Sequence, residues 1–161
     1  MKLLKYKMIT SPVGLLKLVS TDKELVAILW DHERLNRVKL EQMTEVKDDP
    51  ILLETEKQLS EYFQEQRKVF NLPLKARGTQ FQQRVWHLLN QIPYGTTCSY
   101  KDIALKINQP QAARAVGAAI GRNPISIIVP CHRVIASNGN LIGFAGGIER
   151  KKILLNLESN I

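Results

Sequence analysis

Residues 99–121 read SYKDIALKINQPQAARAVGAAIG, and the fold is decided there. Ser99 can cap a short helix over residues 100–107, Asn108, Gln109 and Pro110 turn the chain, and a second helix over 111–120 stops at Gly121. Two short helices joined by a three-residue turn have helix-turn-helix proportions, which a plain helical hairpin shares. A helix that reads sequence in the major groove needs Arg, Asn, Gln or Lys reaching base edges. Residues 112–119 are Ala, Gly and Val apart from Arg114. Such a smooth face with one long cation suits shape-driven approach to a minor groove, and it suits base flipping, in which a side chain fills the place of an extruded nucleotide. It equally suits a buried Ala/Gly-rich helix with Arg114 at its edge. The segment alone leaves both readings open.

On the N-terminal side, Thr79 can cap a helix over 80–91 that gathers Phe81, Val85, Leu88 and Leu89 on one face, ended by Ile92, Pro93, Tyr94 and Gly95. Residues 71–78 hold Pro73 and Gly78 and mark a domain boundary. Before it, residues 2–10, 15–20 and 24–30 are short Leu/Ile/Val-rich segments separated by Ser11-Pro12-Val13-Gly14 and Thr21-Asp22-Lys23, so an antiparallel meander is expected. Residues 31–49 read as a polar connection ending at Asp48-Asp49-Pro50, a helix entry, and Leu52, Leu59, Tyr62 and Phe63 place an amphipathic helix over 51–66. Toward the C-terminus, 125–129 is a buried extended run, 143–147 a glycine-rich loop, and 148–158 a last helix. The fold class is α+β. A small antiparallel-sheet domain with a helix (1–75) is followed by a mainly helical domain with a helix-turn-helix (76–161).

The 161 residues carry a formal net charge of +8, enough chain for one ordinary domain or two small ones. The charge is uneven: residues 1–75 are close to balanced, whereas 76–161 hold 10 basic and only 3 acidic side chains, Asp102, Glu149 and Glu158. A polyanionic partner for the second half is expected. No apolar run approaches a membrane span, and lysines interrupt residues 1–7 before a signal-peptide core can form, so a cytoplasmic protein is expected. Two cysteines, Cys98 and Cys131, are too few for a disulfide scaffold or a Cys-rich zinc site. Cys98 reads as inert. Cys131 precedes His132 and Arg133, a cationic setting that favours thiolate, although a buried structural cysteine is the ordinary outcome for such a residue. Adjacent side chains point apart, so either a bridging water links His132 to Cys131 or another group activates the sulfur, and Glu158 is a candidate to orient the imidazole.

Several blocks then fall together: Pro130-Cys-His-Arg-Val134, residues 78–86 (GTQFQQRVW), Ser99 with Tyr100, 113–117 (ARAVG), 122–124 (RNP) and 145–147 (AGG). In this order, nearly continuously over 78–158, they resemble the O6-alkylguanine-DNA alkyltransferases, and the first domain agrees in outline. The resemblance implies direct repair of double-stranded DNA containing alkylated guanine. The damaged base is flipped through minor-groove contact with little sequence preference, and a cysteine takes the alkyl group once. It implies Cys131 as acceptor, His132 as base through a water, Glu158 orienting it, Tyr100 against the 3′ phosphate and the base, and Asn123 bracing the turn behind the cysteine. Arg114 is implied as the finger, with Ala113, Gly117, Arg122 and Arg133 also facing DNA, and Ser126, Val134, Phe144, Ala145 and Gly146 around the pocket. The first domain is implied to be a ribonuclease-H-like scaffold. No cofactor is implied, and a monomer is expected.

The chain departs from the family in places. Phe144 stands where members often have tyrosine, which removes a hydroxyl from the pocket wall. Ser126 replaces a second proline of vertebrate members. Ile153 and Leu157 replace an aromatic and a polar residue of the last helix, with an expected change of packing around Glu158. Some relatives bind zinc in the first domain; with no cysteine there and His32 its one histidine, no metal is expected. A damage sensor without chemistry carries tryptophan at the acceptor position, which Cys131 contradicts. The apolar 112–119 face disfavours a sequence-reading regulator, and a cysteine hydrolase needs a histidine facing the thiol and an oxyanion hole.

Overall fold

A computed structural model describes residues 3–34, 36–141 and 143–159. Lys2, where the first strand was expected to begin, lies outside them. The chain opens with strands β1 (Leu4–Ile9), β2 (Leu16–Ser20) and β3 (Leu25–Trp30), paired antiparallel as the meander requires. Gly14 makes the first turn, with φ +99° and its N–H donating to the Ser11 carbonyl at 2.9 Å. In the second, the Thr21 hydroxyl accepts from the Lys23 and Glu24 N–H groups.

The connection over 31–49 contains an element the sequence does not announce. Met43–Glu45 forms β4, parallel to β1, so the sheet order is β3-β2-β1-β4. Three residues, none of them buried, give no alternating pattern to read. The helix α1 (Pro50–Phe63) starts where expected, because Asp49 accepts from the Ile51 and Leu52 N–H groups and Pro50 needs no donor partner. It ends three residues early, where Glu65 adopts φ +61°. Its buried face presents Leu52, Leu59 and Tyr62.

The second half holds α2 (Gln80–Leu89), β5 (Cys98–Ser99), α3 (Tyr100–Lys106), α4 (Ala113–Gly121), a single 3₁₀ turn (Cys131–Arg133), β6 (Val134–Ile135) and α5 (Ile148–Ser159). Reciprocal capping boxes fix two helix starts, Thr79 with Gln82 for α2 and Ser99 with Asp102 for α3. The helix α4 begins two residues later than expected, because its N-cap Ala112 has no side chain to satisfy the first N–H groups. The Trp86 indole donates to the Ala119 carbonyl at 2.8 Å and locks α2 across α4.

Residues 125–129 are not a strand. Ile125 makes one bridge to Ile28, and the chain then folds into a turn with Val129 N–H on the Ile125 carbonyl. The run is apolar because it is buried throughout, not because it is extended. Ile127 holds φ +75°, a left-handed conformation that a β-branched residue rarely adopts. One apolar core runs through both halves, joining Leu16, Leu18 and Ile28 of the sheet and Leu59 of α1 to Trp86, Leu89, Val116 and Ile125. The linker is part of this packing, since Leu25 exchanges hydrogen bonds with Pro73 and Lys75.

Candidate active site

The turn over 124–129 delivers Cys131, and Asn123 holds that turn closed. Its side-chain amide donates to the Val129 carbonyl at 2.9 Å while its oxygen accepts from the Ile125 N–H at 3.1 Å. Pro130 then starts the 3₁₀ turn, with the Arg133 N–H on its carbonyl at 3.0 Å. Cys131 is 5% exposed. Burial pushes its thiol up, against a hydrogen bond from Asn123 and the positive charges of Arg37 and Lys151. A thiolate here is thus opposed by desolvation and favoured by three named groups.

His132 is fully buried, and its Nε2 lies 2.7 Å from Glu158 Oε2. Nδ1 has no hydrogen-bond partner among the described residues. A neutral imidazole that donates from Nε2 to the carboxylate keeps a lone pair on Nδ1, the state needed to accept a proton. Burial lowers the His132 pKa, partly offset by Glu158. Burial works to raise the Glu158 pKa, yet hydrogen bonds from His132, Arg133 and Tyr62 outweigh it and hold the carboxyl far below the usual range.

Arg133 departs from expectation. It does not face outward to DNA: its Nε and Nη2 donate to Glu158 at 2.7 and 3.0 Å, and its Nη1 donates to the Ile92 carbonyl at 2.7 Å. The guanidinium also lies over the Tyr94 ring, 5.8 Å from its centroid. A carboxylate buried this deeply needs a permanent counter-charge, and that requirement draws Arg133 inward.

A cavity of about 660 Å³ is lined by Tyr100, Ala113, Arg114, Gly117, Phe144 and Ala145 together with Arg34 and Arg37, and Cys131 itself is not among its lining residues. Tyr100 and Arg37 are also near enough to Cys131 for their charges and its own to act on one another. Burial, then Cys131, raises the Tyr100 pKa, so its hydroxyl stays protonated and able to donate. Arg114 and Arg122 are exposed on α4 and at its end. Gly117 of α4 lies against Tyr100, where a Cβ would meet the ring at 3.7 Å, an ordinary contact distance.

Three residues expected at the pocket do not line this cavity. The Ser126 hydroxyl accepts from the Trp30 indole at 3.0 Å and is buried. Gly146 packs on that same indole, where a Cβ would come within 2.8 Å. Val134 is buried in β6, paired with Cys98. The first two instead fix Trp30, which meets Phe144 edge-to-face at 5.4 Å, so they shape the wall from behind. Ile153 is 41% exposed, and its change from the family pattern falls on solvent rather than on the packing around Glu158.

Three buried polar residues of the site have little sequence signal. Tyr62 reads as one more apolar position of α1. Arg37 lies in a polar connection, yet its guanidinium binds Glu33 and the carbonyls of Gly121 and Asn123; the four-residue spacing from Glu33 was the one available hint. Lys151 is fully buried with Nζ 2.7 Å from the Val134 carbonyl, in a helix with no apolar stripe to give it away.

Two domain families match the chain: 6-O-methylguanine DNA methyltransferase, ribonuclease-like domain, over residues 4–76, and 6-O-methylguanine DNA methyltransferase, DNA binding domain, over 80–160. The chain belongs to the 6-O-methylguanine DNA methyltransferase family. Among its relatives, the constitutive methylated-DNA–protein-cysteine methyltransferase of Bacillus subtilis is 44% identical over 95% of this chain and 94% of its own length. The enzyme of the same name from Methanosarcina barkeri is 43% identical over 96% and 97%. The inducible Bacillus subtilis protein is 54% identical over 113 residues, 70% of this chain and 63% of that longer one. A crystal structure of Mycobacterium tuberculosis OGT in complex with DNA superposes with a TM-score of 0.89 at 44% identity, over 97% of this chain and 93% of the other.

Proposed function

We propose that the chain repairs O6-alkylguanine in double-stranded DNA by moving the alkyl group, once, to Cys131. The observation that carries this is the joint placement of Cys131 with Asn123 and the His132–Glu158 pair, within electrostatic reach of Tyr100 and Arg37, which line a cavity of about 660 Å³, a size suited to one small-molecule ligand. The exposed Arg114 and the small Ala113 and Gly117 face the minor groove, with Arg114 in the place of the extruded nucleotide and Arg122 on the backbone. Flipping costs a few kcal/mol, least for a mispaired base, so selection for damage needs no sequence code.

His132 Nδ1 takes the thiol proton through one water, and Glu158 stabilises the imidazolium that forms. Sγ attacks the alkyl carbon in line, the carbon–O6 bond breaks, and its electron pair stays on the guanine. Tyr100 donates to that anionic purine, and the guanine ends by taking up the proton the thiol gave. Thioether and restored guanine are the products, so no second turnover occurs and no cofactor is needed.

The ribonuclease-like part (1–75) acts as a scaffold for the DNA-binding and acceptor part (76–161). The protein acts as a monomer in the cytoplasm, where a reducing environment keeps Cys131 a thiol. Among the described residues, no helix is long and apolar enough to cross a membrane. The test is Cys131→Ala with a duplex containing O6-methylguanine. Transfer is abolished while binding to the duplex persists; a variant that still repairs overturns the assignment.

A further inference from the structure

The carboxylate behind His132 is held from both halves of the chain. Glu158 Oε2 receives His132 Nε2 at 2.7 Å, Arg133 Nη2 at 3.0 Å and the hydroxyl of Tyr62 at 2.6 Å. Tyr62 comes from α1, 96 residues earlier in the chain. We propose that Tyr62 is a positioning residue for alkyl transfer: its hydroxyl shares the Glu158 oxygen that holds His132, and so keeps the imidazole neutral with Nδ1 ready to accept. This rests on the reading of His132 as base for Cys131.

The geometry singles out the hydroxyl rather than the ring. Tyr62 is fully buried, and its ring meets those of Phe63, Phe70 and Tyr94 at 5.3, 5.4 and 6.2 Å. A phenylalanine would fill that space without the cost of burying a phenol. The hydroxyl therefore has its use at Glu158. Burial and the adjacent Glu158 charge push the Tyr62 phenol well above its ordinary range, so it only donates.

The direction of its effect is fixed by charge. A hydrogen bond from Tyr62 withdraws charge from Oε2, the atom against which an imidazolium is stabilised. Removing it returns that charge to face His132 and makes the ring easier to protonate. The other groups around the network stay in place: Arg133 on both carboxylate oxygens, Lys151 on the Val134 carbonyl, Cys131, and Tyr94 with Lys68 over its ring and Glu65 nearby.

The experiment is Tyr62→Phe, with the rate of methyl transfer from an O6-methylguanine duplex measured across pH. Transfer stays stoichiometric and near the wild-type rate at alkaline pH. The acid limb moves up by about one pH unit, the size expected on losing a hydrogen bond to a charged group. The His132 ring, followed by NMR in the folded, unreacted variant, titrates at correspondingly higher pH, a readout that lost stability does not mimic. Tyr94→Phe removes a neighbouring hydroxyl that bonds the Leu157 carbonyl and leaves the limb where it is. An unmoved limb and an unmoved His132 titration in Tyr62→Phe, with normal transfer in the wild type, overturn the role of Tyr62 alone. No methyl group on Cys131 of the wild type overturns the reading beneath it.

Discussion

Replacing Arg133 with methionine separates a structural cation from a DNA contact. The substitution keeps most of the side chain's length and removes three hydrogen bonds, two to Glu158 and one to the Ile92 carbonyl. Glu158 is 2% exposed and stays ionised, so it is left buried with His132 and Tyr62 as its close donors. Breaking a buried ion pair from one side costs about 3–5 kcal/mol. For a chain of this length each kcal/mol lowers Tm by about 2–4 °C, which places the fall at roughly 6–20 °C. Calorimetry or thermal unfolding by circular dichroism gives the first readout. The second is the affinity for undamaged duplex over a salt series, where each phosphate contact contributes about one unit to the salt slope. Tm is expected to fall with affinity and slope unchanged, the binding measured well below the variant's Tm. An unmoved Tm with weaker binding and a shallower slope would return Arg133 to the DNA-facing surface and refute the burial argument.

Acid should weaken the fold by way of the same network. His132 and Glu158 both have folded pKa values below their unfolded ones, so each contributes stability that is present above its unfolded pKa and is lost as pH falls. Urea unfolding across pH is expected to show stability declining first below about 6.5 and again below about 4.3, the ordinary His and Glu values; a flat profile from pH 7 to 4 contradicts the buried pair. In Gly146→Ala the new Cβ would meet the Trp30 indole at 2.8 Å, so the indole must move and take Phe144 with it. Transfer slows while affinity for undamaged duplex holds, and wild-type transfer kinetics would show that Trp30 does not set the wall.

What the sequence made legible was whatever local chemistry settles. Thr79, Ser99 and Asp49 mark their helix starts because a cap is a short-range hydrogen bond, and Gly14 marks its turn because φ +99° favours glycine. Tertiary packing decided the rest. The strand β4 exists because β1 offers it an edge, and residues 125–129 look extended only because burial demands the same residues as a strand. At the site, Cys131 and His132 are adjacent in one motif block, Asn123 comes from the neighbouring 122–124 block, and Glu158 stood out as one of few acids in a basic half. Val134 and Gly146 were assigned to the pocket by their place in the motif blocks, and Ser126 by its standing where vertebrate members have a proline. Which face of the wall each occupies depends on Trp30 and on β5, elements far away in sequence. The Tyr62 hydroxyl went unread, although its ring was placed on the buried face, and Arg133 was misplaced, for a shared reason: a buried carboxylate recruits donors from wherever the fold brings them, and no spacing encodes that.

The repair reaction rests on one sulfur atom. Wild-type protein mixed with excess O6-methylguanine duplex, then digested and mapped by mass spectrometry, should carry a single methyl group per molecule, on the peptide that contains Cys131 and on no other. Methyl on Cys98, or more guanines restored than protein molecules present, would contradict it.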